Sequence, residues 1–244
     1  MDELTQTIRG RYLQAQEKIA RAALSVGRSP SDVRLVTVTK TQPLSVVRAA
    51  VEAGAVLLGE NYPEEGVMKI QSLTAPSHVQ WHMIGHVQSR KAALVARHFD
   101  FLHSLDSLKL AQRLNRFCGE IGRRLPVLLE FNVGGEESKS GWNAADESRW
   151  AALLDDVGAV LALPNLDARG LMTMPPLGEV ASRLYFQKLR RLRDYLCGQF
   201  PHFDFRELSM GTSADYETAV QEGATFVRLG TTIVGARQYK TEAE

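Results

Sequence analysis

Lys40 closes the stretch Val33-Arg34-Leu35-Val36-Thr37-Val38-Thr39, whose residues are almost all β-branched or apolar. An amine at the end of a buried strand is partly desolvated, which frees the neutral nucleophile to bond a carbonyl carbon as a Schiff base. Far along the chain, two segments are suited to an anion: Ser209-Met210-Gly211-Thr212-Ser213 and Arg228-Leu229-Gly230-Thr231-Thr232. Backbone N–H groups in such glycine-containing loops and at helix N-termini bind phosphate. Taken singly, the lysine reads as a strand end reaching water and each loop as a helix cap. Together they describe a pocket for a phosphorylated carbonyl compound held on Lys40.

Other reactive groups carry less. His82 and His86 are four apart, but Gly85 and a strand context deny them the shared face of a helical metal pair, so no metal site is expected. The run Lys188-Leu189-Arg190-Arg191-Leu192-Arg193 is basic, yet its leucines fit the buried stripe of a helix and leave a solvated charged face. Cys118 and Cys197 lie in helical segments without paired spacing, as thiols of a reducing compartment do. Serine, histidine and aspartate occur without a nucleophile-elbow sequence, so acyl transfer has no specific support.

The elements that must position Lys40 and the two loops follow from periodicity. Leu4, Ile8, Tyr12, Ala15, Ile19 and Ala23 mark a long amphipathic N-terminal helix, within residues 1–27, that must pack on something. After the strand that ends at Lys40, seven further strands are expected: Ala55–Gly59, Val79–Gly85, Asp100–Leu105, Pro126–Val133, Ala168–Met174, Phe205–Met210 and Ala224–Gly230. Helical periods lie between them, for example at Ser107–Ile121, Asp146–Leu161, Glu179–Phe200 and Ala214–Gln221. Eight strands alternating with helices predict an α/β fold, a single (β/α)8 TIM barrel over residues 1–244 with an extra N-terminal helix. No Gly-x-Gly-x-x-Gly follows the first strand, which removes the reason to prefer an open dinucleotide-binding sheet.

Of 244 residues, 44% are hydrophobic and 23% charged, the balance of an ordinary globular protein. A net charge of +1 gives no global field for nucleic acid or an anionic membrane, and no apolar run reaches membrane-helix length. The expectation is a cytoplasmic protein with no nucleic-acid and no membrane partner, for which a monomer suffices.

The segments Thr37-Val38-Thr39-Lys40, Leu58-Gly59-Glu60-Asn61-Tyr62, Trp81-His82-Met83-Ile84-Gly85-His86-Val87-Gln88, Gly170-Leu171-Met172-Thr173-Met174, Leu208-Ser209-Met210-Gly211 and Val227-Arg228-Leu229-Gly230-Thr231 resemble, in order and spacing, the pyridoxal phosphate homeostasis family. The resemblance spans essentially the whole chain. It implies a fold-type III barrel of the alanine-racemase N-terminal type that carries pyridoxal 5′-phosphate (PLP) as an aldimine on Lys40, without established catalytic turnover. It further implies that Ser209 and the backbone of Gly211, Gly230 and Thr231 hold the phosphate. Arg228 would face the pyridine nitrogen, and Asn61, His82 and Met172 would line the ring's surroundings. The chain departs from the family's usual pattern at Thr212, commonly Met, and at Arg90, commonly Asn.

An arginine at the ring nitrogen disfavours its protonation and weakens the ring as an electron sink. The chain ends at Glu244, soon after the eighth strand, so the extra domain that racemases of this fold use is expected to be missing. Vitamin B6 storage and delivery to PLP-dependent apo-enzymes is therefore expected rather than turnover. The polar loop Gly134-Gly135-Glu136-Glu137-Ser138-Lys139-Ser140-Gly141-Trp142 suggests that Lys139 takes PLP over from Lys40 during release. Three other readings stay open: a small PLP-dependent amino-acid racemase, a cofactor-free Lys40 Schiff-base enzyme, and a phosphate-binding barrel enzyme.

Overall fold

The computed structural model describes residues 1–74, 76–176 and 179–236. The expected domain range of 1–244 runs past them, and its end at 237–244 lies outside the described residues.

Among the described residues nine strands form one parallel sheet: β1 (Arg34–Val38), β2 (Leu57–Glu60), β3 (Gln80–Met83), β4 (Phe101–Leu105), β5 (Leu125–Asn132), β6 (Trp142–Asn143), β7 (Leu166–Met172), β8 (Glu207–Ser209) and β9 (Phe226–Leu229). Their order is β4-β3-β2-β1-β9-β8-β7-β5-β6, and β4 also pairs with β5. That last pairing closes eight strands into a barrel, with β6 an outrigger paired at Phe131↔Trp142. All eight expected strands are present. The two-residue β6 was not expected, because no apolar run marks it.

The helices are α1 (Glu3–Leu24), α2 (Leu44–Glu52), α3 (Pro63–Ser72), α4 (Ala92–His98), α5 (Leu108–Glu120), α6 (Leu154–Leu161), α7 (Glu179–Gln199), α8 (Tyr216–Gln221) and α9 (Thr231–Val234). The helix expected over Asp146–Leu161 divides into a 3-10 segment, Glu147–Leu153, followed by α6. Asp146 and Ser148 cap the tight segment, while Trp150 and Leu153 pin it by burial. α9 has only four residues, and α1 fills the space beside it, packing against α2, α8 and α9 through Ile8, Tyr12, Ala15 and Ile19.

The pleat sorts side chains into two cores. Val36, Leu57, Phe101, Leu128, Met172 and Phe226 form a cluster inside the barrel. Leu35, Leu58, Val127, Leu171, Leu208 and Val227 belong to the larger layer between the strands and the helices. Removing each such aliphatic or aromatic side chain from water contributes about 1.5–3 kcal/mol. The barrel interior is therefore solid below, and only its upper rim, at the C-terminal strand ends, is free to hold a ligand.

Candidate functional site at the barrel mouth

A cavity of about 430 Å³ opens at that rim. Among its lining residues are Lys40, Asn61, Arg228, Gly230 and Thr231, five of the residues expected at the site. Strands β1, β2 and β9 are neighbours in the barrel, which brings the amine and the second glycine loop side by side although they are far apart in the chain.

Lys40 stands on a reinforced turn. Lys69, a buried lysine on α3, donates to the Thr39 carbonyl at 2.6 Å, to Glu60 Oε1 at 2.8 Å and to Glu65 Oε1 at 2.6 Å. Thr39 Oγ1 donates to the same Glu60 oxygen at 2.6 Å. Burial pushes the Glu60 carboxyl upward, and the Lys69 ammonium opposes that shift. Thr41, next after Lys40, has φ of 60°, a left-handed conformation that is strained for a branched residue. Its N–H donates to Glu65 Oε1 at 2.6 Å, which holds the strained turn in place.

Two glycines permit close approaches at the rim. A Cβ on Gly85 would lie 2.4 Å from the Asn61 carbonyl oxygen, so only glycine lets the chain after β3 press against Asn61. Gly211 has φ of +91°, and a Cβ there would lie 2.5 Å from that of Ala219. Its carbonyl accepts from the Arg228 N–H at 3.1 Å, tying the two loops together. Thr212, Ser213 and Ala214 follow and line the cavity, as do Gly230 and Thr231 at the start of α9.

Arg228 is 4% exposed and lines the cavity. It donates to Ser209 Oγ at 2.5 Å, to the Thr173 carbonyl at 3.0 Å and to Met174 Sδ. All three acceptors are neutral. Burial lowers its pKa to about 10, against the pull of Glu130 and Asp215, so it stays charged at neutral pH.

Four expected residues, Ser209, Gly211, His82 and Met172, lie outside the cavity lining. Ser209 is fully buried beneath Arg228. Gly211 shapes the turn through its backbone. His82 and Met172 lie one pleat repeat deeper, and Ile84 and Met174, two residues further along each strand, line the cavity. Two residues of strand are about 7 Å. His82 is stacked on Phe101 with centroids 5.3 Å apart, and Met172 belongs to the inner apolar cluster.

Sequence reasoning passed over His103 and Glu130. His103, on β4, bonds through Nε2 to His82 Nδ1 and through Nδ1 to Ser209 Oγ, both at 2.8 Å. Burial holds His82 at about 3 and His103 well below the ordinary range, so both are neutral. Glu130, on β5, is raised to about 7 by burial and by Asp106, against Arg228 and Lys139. Strand parity was the available signal, since His103 shares its face with Phe101, but strands buried on both faces hide parity. Lys139 is exposed in the loop after β5, with its Nζ 3.9 Å from Glu136 Oε2. Among the described residues no group of three or more His, Cys, Asp and Glu side chains could hold a metal.

Comparison with known proteins identifies the family and its architecture. The model of the alanine racemase N-terminal domain matches residues 16–238. A pyridoxal phosphate homeostasis protein of Vibrio alginolyticus is 43% identical over 218 residues, 87% of this chain and 90% of its own. The chain belongs to the pyridoxal phosphate homeostasis protein family.

Solved relatives of this homeostasis family share the architecture. A structure from Bifidobacterium adolescentis superposes with a TM-score of 0.84 at 33% identity, covering 96% of this chain and 97% of that one. PipY of Synechococcus elongatus, solved with PLP bound, gives 0.77 at 36% identity, covering 90% and 99%. The family expected from the motifs and the closed (β/α)8 barrel expected from the periodicity are both found.

Proposed function

We propose that this chain binds pyridoxal 5′-phosphate at the barrel mouth and buffers and delivers it rather than turning over a substrate. The observation that carries the reading is Arg228. It is a buried, charged guanidinium facing the cavity, and among the described residues no carboxylate forms an ion pair with it. Its unused N–H donors and its charge favour an electron-rich acceptor in the cavity. The unprotonated ring nitrogen of PLP is such an acceptor, and PipY, solved with PLP bound, shares this fold.

The chemistry available from PLP is an aldehyde that bonds reversibly to an amine with loss of water, and a ring that withdraws electrons from the bond so formed. Lys40 supplies the amine on a turn braced by Lys69 and Glu65. The N–H groups of Gly230 and Thr231, together with those of the Gly211–Ala214 turn, bind the phosphate. Arg228 directs positive charge at the ring and so keeps protons off its nitrogen. Asn61 borders the ring, with Ile84 and Met174 as apolar walls. His82, Met172 and Ser209 support these groups from beneath.

No helix among the described residues is long and apolar enough to cross a membrane. We assign the chain to the cytoplasm as a monomer that hands PLP to apo-enzymes. Borohydride reduction of the PLP-loaded chain, followed by peptide mass spectrometry, tests the reading. A reduced adduct on the Lys40 peptide, lost in Lys40→Ala, is expected; an adduct elsewhere, or none, would overturn it. Steady conversion of an amino acid, abolished by the same substitution, would favour a racemase instead.

A further inference from the structure

Below the cavity a line of buried side chains runs Arg228, Ser209, His103, His82, with contacts of 2.5, 2.8 and 2.8 Å. We propose that this line is a one-way hydrogen-bond chain, and that His103 is a positioning residue that sets the orientation of Arg228 through Ser209.

The direction follows from counting hydrogens. A guanidinium has no acceptor, so Ser209 Oγ accepts from Arg228. The serine hydroxyl carries one hydrogen, and His103 Nδ1 is the acceptor at hand, 2.8 Å away. With Nδ1 accepting, a neutral His103 carries its proton on Nε2 and donates it to His82 Nδ1. His82 is then also protonated on Nε2, which is buried without a hydrogen-bond partner among the described residues. That N–H ends the chain in an aromatic setting, with the Phe226 ring 5.7 Å from the His82 ring, edge to face.

The opposite direction is worse. If His103 Nδ1 carried the proton, the Ser209 hydroxyl would lose its acceptor and His82 Nε2 would be a bare lone pair, leaving two buried groups unsatisfied instead of one. The charge on Arg228 agrees, because it favours imidazole lone pairs that point toward it. Burial opposes protonating either ring, with Arg34 acting against it at His82 and Arg228 and Arg34 at His103.

The consequence bears on the cavity. Arg228 is clamped by acceptors that fix its direction without cancelling its charge: Ser209 from β8 and the Thr173 carbonyl just beyond β7. Ser209 can do this only while its own hydrogen is aimed away, at His103. Asparagine at position 103 could still accept near the Nδ1 position, whereas phenylalanine fills the space and accepts nothing.

The tautomer part of the inference is independent of PLP; the positioning part rests on the proposed function. Long-range proton–nitrogen NMR correlation on the 15N-labelled, cofactor-free chain at pH 7.5 is expected to find both rings neutral with the proton on Nε2. Ser209→Ala is expected to perturb His103 first. A proton on Nδ1 of either ring, or a cationic ring, would overturn the chain's direction. For the loaded protein, His103→Phe should shift the visible absorption band and weaken PLP binding about tenfold, the loss of a hydrogen bond to a charged group. His103→Asn should restore both. An unshifted band and unchanged affinity in His103→Phe would overturn the positioning role. If His103→Phe fails to fold, the band in folded Ser209→Ala decides by the same criterion. A wild-type chain that takes up no PLP would defeat the functional reading and the positioning role, leaving the tautomers to be judged by NMR alone.

Discussion

The ammonium of Lys69 lies 2.6 Å from the carbonyl oxygen of Thr39, the residue immediately before Lys40. A buried cation thus braces the turn that presents Lys40, and two carboxylates share it. Removing one partner of such a buried group leaves an uncompensated charge, which costs about 3–5 kcal/mol. Lys69→Met is expected to lower the unfolding free energy by that order in urea titration. Adding Glu60→Gln should recover part of it. A loss below about 1 kcal/mol would show that the network contributes little.

Acid should weaken the fold through the buried histidines. His82 is held at about 3 and His103 well below 6.5, so the unfolded chain takes up protons that the folded chain refuses. Stability is therefore present above about pH 6.5 and is lost as pH falls below it, each refused proton adding about 1.4 kcal/mol per pH unit. His82→Gln should reduce the slope of unfolding free energy against pH, between about 6 and 4, by roughly one proton. Chemical unfolding at a series of pH values measures it, and an unchanged slope counts against neutral burial.

Glu130 works in the opposite sense. Its pKa is raised from 4.5 to about 7, so its contribution is fully present below the unfolded value and is lost as pH rises through the folded one. Glu130→Gln should remove that loss and leave the chain more stable at pH 8 by about 1–3 kcal/mol. Thermal melts at pH 5 and pH 8 compare the two chains; equal pH dependence in both would refute it.

Strand β5 stands diametrically opposite β1 in the closed ring, so the loop carrying Lys139 leaves the rim on the side opposite Lys40. We expect Lys139→Ala to slow transfer of PLP to an apo-enzyme while leaving equilibrium binding to Lys40 near normal. Stopped-flow transfer kinetics separate the two, and an unaltered transfer rate rules the relay out.

Much of this was legible in the residues. The run Val33–Thr39 marked β1, and the alternation of strands and helices led to a closed ring because parallel strands need crossovers. Lys40, Asn61, Arg228, Gly230 and Thr231 line one cavity because strand ends collect at one mouth. Depth was not legible. His82 and Met172 lie one pleat repeat below the cavity lining, and nothing in Trp81-His82-Met83-Ile84 says where the interior filling stops. Lys69 and His103 were missed because their partners, Thr39 and Ser209, come from other elements that only the folded ring brings near.

The shortness of α9 means that the first helix of the chain acts as the missing stave beside the last strand. The wall behind Gly230 and Thr231 is therefore assembled from segments made at opposite times during synthesis. α1 can pack on α2 early, but the rim formed by Gly230 and Thr231 is complete only after translation has passed β9.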